Sequence, residues 1–204
     1  MNKWFISDTH FSHTNIIRYT GRPFQTVSEM NERLIENWNA LVNPEDTVFF
    51  LGDFGIGTKD HLSSLCVRLH GNKICIRGNH DGSPAKMQKI GFFLVFESAF
   101  IKIGRHLAEL VHIPSQKAPS HFQLHGHVHD KQPNKLFDNR LNLSIEVWNY
   151  KPVSEKIIVA LLDRESNKNQ ALSKQKLSGF SRQDRNNFNK EASNLSSISS
   201  KFLA

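Results

Sequence analysis

Along the first 90 residues, short apolar runs alternate with longer stretches in which apolar residues recur every three or four positions. The short runs predict β-strands at residues 3–7, 47–51 and 73–77. The longer stretches predict α-helices at residues 27–41, 60–70 and 84–90. Ser28 and Ser83 are the expected N-caps of the first and third helices. This order of strands and helices predicts βαβ units with parallel strand pairing.

Beyond residue 90 the pattern changes to a series of apolar runs separated by turn residues. These runs predict strands at residues 93–103, 106–113, 121–125, 141–147 and 156–162. The two halves together indicate an α/β protein with a second, more antiparallel set of strands. From about Arg164 the chain is rich in Ser, Asn, Gln and Lys. We therefore expect one domain over residues 1–163 and a polar tail over residues 164–204, disordered or loosely docked.

Composition supports an ordinary globular domain and argues against a membrane protein. The chain has 204 residues, of which 38% are hydrophobic. No apolar run approaches the roughly 20 residues that a membrane-spanning helix needs. The first residues also lack the apolar stretch and cleavage site of a signal peptide. We expect a cytoplasmic protein with no membrane partner, in which Cys66 and Cys75 are reduced core residues.

Positive charge is concentrated in the tail. The formal net charge is +7, and residues 164–204 contain eight Lys or Arg and three Asp or Glu, a net charge of +5. A basic protein can bind nucleic acid. Here the tail could contribute to such binding, but the charge of the body does not indicate it.

Polar side chains follow each of the first three predicted strands. Asp8 and His10 follow the first strand, Asp53 follows the second, and Asn79 with His80 follows the third. The carboxyl ends of parallel strands meet at one crevice. We therefore expect two carboxylates, two imidazoles and a carboxamide to lie close together.

The second half of the chain adds three more imidazoles. His112 ends one predicted strand, and His127 and His129 end the next. If this segment is extended, the last two side chains point to the same side. Mixed oxygen and nitrogen ligands suit Mn²⁺, Fe, Zn²⁺, Ni²⁺ or Co²⁺ better than Ca²⁺. Asp53 is placed to bridge two ions, and ions about 3.5–4 Å apart are typical of phosphoryl-transfer sites.

These motifs resemble the blocks of the calcineurin-like metallophosphoesterases. All five blocks occur in family order: Asp8-x-His10, Gly52-Asp53, Gly78-Asn79-His80-Asp81, His112 and Gly126-His127-x-His129. The first three blocks differ from those of the Ser/Thr protein phosphatases, the first because Phe11 follows His10. The chain is more similar to small bacterial and phage-type phosphodiesterases.

The resemblance implies a β-sandwich of two mixed sheets flanked by helices, and a role for each matching residue. One metal ion would bind Asp8, His10, Asp53 and His129, and the other would bind Asp53, Asn79, His112 and His127. His80 would be the catalytic histidine that contacts the scissile phosphate, and Asp81 would orient it. Two divalent ions are expected, with Mn²⁺ favoured and Zn²⁺, Fe, Ni²⁺, Co²⁺ or Mg²⁺ as alternatives.

The function that follows is hydrolysis of a small phosphate ester, a diester or a monoester, by a metal-bridging hydroxide. Two alternatives stay open. One is a nuclease or nucleotide pyrophosphohydrolase whose tail holds a polyanion, and the other is a non-catalytic scaffold with the same fold. Among nearby residues, Arg18, Arg22 and Arg77 could bind phosphate, but a surface role is the expectation for each. His13 is expected either to touch substrate or to face solvent.

Overall fold

The computed structural model describes residues 1–178 and the side chains of residues 1–172. Residues Met1–Leu162 form one compact unit. Its first sheet has the strand order β4-β3-β2-β1-β9. The strands are β1 (Lys3–Ile6), β2 (Thr47–Phe50), β3 (Asn72–Ile76), β4 (Leu94–Phe96) and β9 (Val153–Ser154). The first four are parallel, and β9 pairs antiparallel with β1.

The second sheet has four strands in the order β5-β6-β7-β8. They are β5 (Ala99–Ile103), β6 (His106–Leu110), β7 (Phe122–His125) and β8 (Arg140–Asn142). The pair β5–β6 is antiparallel, whereas β6, β7 and β8 are parallel to one another. Both sheets are therefore mixed, as the resemblance implied.

Within residues 1–178, five α-helices connect or flank the sheets: α1 (Thr14–Tyr19), α2 (Val27–Asn39), α3 (Lys59–Cys66), α4 (Pro84–Ile90) and α5 (Glu155–Ser178). None of the helices in the described residues is long and apolar enough to cross a lipid bilayer. The N-caps of α2 and α4 are Thr26 and Ser83, so Ser83 was predicted correctly and Ser28 was not. Thr26 caps because its side chain accepts from the Glu29 N–H.

Successive residues of a strand point to opposite faces of the sheet. In the first sheet both faces are buried, one by helices and the other by the second sheet. In β2, Val48 and Phe50 pack in a core shared with α2, α3 and α4, whereas Phe49 packs in a second core with residues of the other sheet. The protein thus has layers of helices, sheet and sheet, which confirms the predicted β-sandwich flanked by helices.

One predicted strand was wrong, and two others were wrong in part. Residues 156–162 belong to α5, in which Ile158 and Leu162, four positions apart, are fully buried. Residues 93–103 form β4 and β5, which lie in different sheets. The predicted strand at 141–147 ends at Asn142 and is followed by a 3-10 helix, Ile145–Trp148.

The predicted boundary at residue 163 falls within α5, which continues through Ser178. The last part of the predicted tail, residues 179–204, lies outside the described residues. The division into residues 1–163 and 164–204 stays a prediction.

Candidate metal centre

The segments that follow β1 and β2 are joined by backbone hydrogen bonds, which place Asp8 and Asp53 close together. The Asp8 N–H donates to Gly52 O at 3.0 Å, and the His10 N–H donates to Asp53 O at 3.0 Å. Asp8, His10 and Asp53 all have left-handed backbones, with φ values of 60°, 49° and 62°. Such conformations are rare in residues other than Gly and occur often at functional sites.

Two groups of metal-ligand side chains lie at this edge. The first group contains Asp8, His10 and His129, and the second contains Asp53, His112 and His127. Within each group the potential ligand atoms lie within 4.8 Å of one another. Each of the two groups could therefore hold one cation.

Asp53 lies between the two groups. Its Oδ2 is 3.5 Å from His10 Nε2 of the first group and 3.3 Å from His112 Nε2 of the second. Burial alone would raise the pKa of Asp53, but the hydrogen bond and charge of His112 outweigh it and lower the pKa to about 2. The carboxylate is thus ionised, and its position is consistent with a shared ligand.

Asn79 closes the second group. Its Oδ1 is 2.9 Å from both His112 Nε2 and His127 Nδ1. On the other side of the ring, His112 Nδ1 lies 2.7 Å from Leu51 O. Because a carbonyl oxygen only accepts, Nδ1 carries the proton and donates it to Leu51, so Nε2 is the ring nitrogen that faces Asp53 and Asn79.

His10 supplies the observation that best tests whether a cation fits. Both its Nδ1 and its Nε2 are buried, and neither has a hydrogen-bond partner among the described residues. Burial lowers the pKa of His10 to about 3, so the ring is neutral near pH 7. A buried polar atom without a partner is costly. A cation at Nε2 would remove that cost, so the residues present fit a metal ion.

Asp8 is held from several directions. Its carboxylate accepts the His127 N–H at 3.0 and 3.1 Å and the Ser144 hydroxyl at 2.8 Å. Burial raises the pKa of Asp8. A nearby positive charge would favour its ionised form.

A comparison with protein-family profiles identifies the family. The profile of the family described as calcineurin-like phosphoesterase matches residues 1–171. The chain belongs to the calcineurin-like phosphoesterase family. An uncharacterized protein of Methanocaldococcus jannaschii is 38% identical over 171 residues, which cover 79% of this chain and 91% of that protein.

Two further relatives are similar over most of their length. The gene 66 protein of Mycobacterium phage L5 is 26% identical over 183 residues, covering 72% of this chain and 87% of that protein. The crystal structure of a protein of unknown function from Aquifex aeolicus matches with a TM-score of 0.66 and 26% identity, over 78% of this chain and 98% of that one. The Aquifex aeolicus structure supports the fold.

Within this calcineurin-like phosphoesterase, His127 and His129 differ from expectation. Both have left-handed backbones, with φ values of 72° and 51°, and His129 begins a 3-10 helix. The segment is therefore not extended, and the prediction that both side chains point to one side of a strand was wrong. The turn instead delivers one imidazole to each group.

His80 and Asp81 have different surroundings. The His80 ring is exposed, with its centroid 5.4 Å from that of His10, and its backbone N–H donates to Asp53 Oδ1 at 2.9 Å. Asp81 was expected to orient His80. Its carboxylate instead accepts the backbone N–H groups of Asp53, Phe54 and Gly78 at 2.8–2.9 Å. It therefore fixes the loops after β2 and β3.

Two buried residues of the site were missed by the sequence reasoning. Arg22, expected at the surface, is 3% exposed and donates to the backbone oxygens of Asp8 and Thr9 at 2.8 Å. Its guanidinium also pairs with Glu146 Oε1 at 2.7 Å, and the same oxygen lies 2.8 Å from His129 Nδ1. No local motif marks this pair, because 124 residues separate its members.

The other neighbouring residues lie at the rim. Arg18 is exposed, and Arg77 is half-buried and pairs with Glu97 at 2.7 Å. His13 is half-buried, with its ring 5.4 Å from that of His10. The structure thus places His13 between the metal-ligand residues and solvent.

Proposed function

We propose that this protein is a metal-dependent phosphoesterase that hydrolyses small phosphate esters with two divalent ions. The observation that supports this most directly is the pair of metal-ligand groups on either side of Asp53. Two ions that share a carboxylate are a recurrent arrangement for in-line displacement at phosphorus.

The first ion would bind Asp8, His10, Asp53 and His129, and the second would bind Asp53, Asn79, His112 and His127. This donor set mixes carboxylate, carboxamide and imidazole, which suits Mn²⁺, Zn²⁺, Fe, Ni²⁺ or Co²⁺. Mn²⁺ is the ion proposed, with the others and Mg²⁺ as alternatives. Bound together, the two ions would supply an activated water and positive charge for the phosphate oxygens.

Groups next to the ligand residues would hold the ligand rings and the loop after β1 in position. The Glu146 carboxylate accepts from His129 Nδ1, so Nε2 of that ring is directed to the first ion. Leu51 O does the same for His112. Arg22 holds the loop after β1 through the oxygens of Asp8 and Thr9.

His80 is the side chain proposed to act on the ester itself. Its ring is exposed beside His10, so it can reach the phosphate and the leaving oxygen. There it would stabilise developing charge or deliver a proton to the leaving group. Asp81 supports this by fixing the Gly78 turn from which His80 extends.

The experiment that tests the proposal begins with metal-stripped protein. Reconstitution with Mn²⁺ should give about two ions per chain by elemental analysis. The reconstituted protein should then hydrolyse at least one class among phosphomonoesters, phosphodiesters and cyclic nucleotides, and the stripped protein should hydrolyse none. Two bound ions without any hydrolysis would favour a non-catalytic scaffold, and no bound ions would refute the proposal.

A further inference from the structure

A row of aromatic rings leads from the proposed centre to the protein surface. The His10 ring centroid is 5.4 Å from that of His80 and 5.4 Å from that of His13. The His13 ring in turn is 6.5 Å from His80 and 6.2 Å from Tyr19. Tyr19 is therefore one ring beyond the residues that would contact the phosphate.

Tyr19 presents its ring to solvent at this position. The residue is 63% exposed and meets the His13 ring edge-on, at an interplanar angle of 81°. The Arg18 guanidinium carbon lies 5.7 Å from the centre of the same ring. A single exposed aromatic residue is ordinary on a protein surface. Its place at the end of this row, beside a guanidinium, gives it a potential function.

His13 provides a second observation on the same row. Its Nδ1 is buried and has no hydrogen-bond partner among the described residues. The residue as a whole is half-buried, so its ring lies between the buried His10 and the exposed Tyr19. A phosphate ester bound at His80 would lie along the His13 ring if its substituent extended toward Tyr19.

We propose that Tyr19, with His13 and Arg18, forms a platform that binds a planar ring on the substrate, so that the preferred esters carry a nucleobase or another aromatic group. The proposal rests on the proposed function, since it assumes that the phosphate lies at His80. Base-to-aromatic stacking tolerates many ring types because each has a π-face. Tyr19 would then determine specificity without taking part in the chemical step.

The test uses ligands that cannot be hydrolysed, so that binding is measured apart from activity. Phenylphosphonate and methylphosphonate share a headgroup and differ in the ring, and adenosine 5′-phosphonate adds a nucleobase. Their dissociation constants would be measured by calorimetry on the Mn²⁺-reconstituted full chain. The wild type should bind both ring-bearing phosphonates more tightly than methylphosphonate.

Three variants separate the ring from its surroundings. Tyr19→Ala should weaken binding of the ring-bearing phosphonates by about 5- to 150-fold and leave methylphosphonate within about twofold. Tyr19→Phe keeps the ring and should bind like the wild type. Ile113→Ala is the matched control, because Ile113 is 55% exposed and follows His112 of the second ligand group. It should not alter the ring preference.

The results show which kind of ring binds at Tyr19, and some results would contradict the proposal. Loss for both ring-bearing ligands supports a general aromatic platform, and loss for the adenosine compound alone supports a nucleobase platform. Equal loss for all three ligands, no loss in Tyr19→Ala, loss of the preference in Ile113→Ala, or no binding by the wild type would each overturn the proposal. Ring-selective binding without ester hydrolysis would refute the proposed function and leave the platform standing.

Discussion

At the residue scale, Asp53 and His80 are in contact and yet have separable roles. Asp53 faces both ligand groups with Oδ2, and its Oδ1 accepts the His80 backbone N–H. The His80 side chain belongs to neither ligand group and is exposed. Substituting one residue should therefore affect metal binding, and substituting the other should affect chemistry.

We expect His80→Ala to keep both ions and to lose activity. Because the proposed role of the imidazole lies mainly in the transition state, kcat should fall by about 10²–10⁴-fold, more than KM rises. The loss should be smaller for nitrophenyl esters, whose leaving group needs little protonation. Asp53→Ala should instead lose its metal, since both proposed ions would share that ligand. Metal content and kcat of the two variants measured in parallel decide this, and a His80→Ala protein without metal would refute the assignment.

Glu146 is the second residue whose role can be isolated. Glu146→Gln should weaken metal binding about 10- to 100-fold, because His129 loses the carboxylate that orients it. It should also lower the melting temperature, since breaking a buried ion pair typically costs about 3–5 kcal/mol. The pair is buried, with Arg22 and Glu146 side chains 0% and 4% exposed. Chelator titration and thermal unfolding would measure the two effects.

Glu97→Gln is the control for Glu146. It also removes a carboxylate paired with arginine, but Glu97 is 66% exposed. Exposed pairs contribute only about 0–1 kcal/mol. If both variants behaved alike, the buried pair would have no special role at the site.

At the element scale, the ends of β2 and β3 pack so closely that only glycine fits between them. Gly52 has a φ of 93°, and a Cβ there would lie 2.5 Å from His112 Nδ1 and 2.7 Å from the Gly78 backbone. The strand ends can therefore bring Asp53, Asn79 and His112 together because this position has no side chain.

Gly52→Ala should reduce both stability and metal binding, because the methyl group would displace His112 or separate the two strand ends. Gly21→Ala is the matched control. Gly21 also has a positive φ, 61°, but a Cβ there meets nothing within 4 Å. It should cost only the backbone strain of about 1–2 kcal/mol and leave the metal content unchanged. Equal metal content in the two variants would contradict the packing argument.

At the scale of the whole molecule, one compact unit contains every residue of the proposed centre. Residues Met1–Leu162 form that unit, and Ile158 and Leu162 on α5 are fully buried in it. We expect a chain that ends at Asp163 to keep these contacts. Its melting temperature and its turnover of small esters should be close to those of the full chain.

Comparing the truncated and full chains at several salt concentrations also tests the alternative of a polyanionic substrate. If the basic tail holds a nucleic acid, truncation should remove a strong salt dependence of activity on that substrate. A large fall in melting temperature on truncation would show instead that residues beyond 163 are part of the folded domain.

Much of the centre could be predicted from the sequence, because its motifs directly follow short apolar strands. In a parallel sheet the residues that follow each strand lie at the same edge, whatever the conformation of the connecting loops. Asp8, Asp53 and Asn79 were therefore placed together correctly from three local patterns. That they hold metal ions, and that His80 is catalytic, stays a prediction.

The apolar run at residues 156–162 shows the limit of local reading. This run is compatible with a buried strand and with a buried helix. The segment is helical in the structure, where Ile158 and Leu162 are both packed in the core. The split of residues 93–103 between two sheets likewise depends on which neighbours each half meets.

The sequence by itself determined the parallel arrangement of the first strands and the convergence of the ligand-type residues, since both follow from strand periodicity and the residues next to each strand. The tertiary structure alone decided the contacts around them. The Arg22–Glu146 pair, the three amides held by Asp81 and the row from His80 to Tyr19 join segments that are far apart in the chain or separated by turns. Such contacts depend on how the layers pack, and no local pattern of apolar and polar residues encodes them.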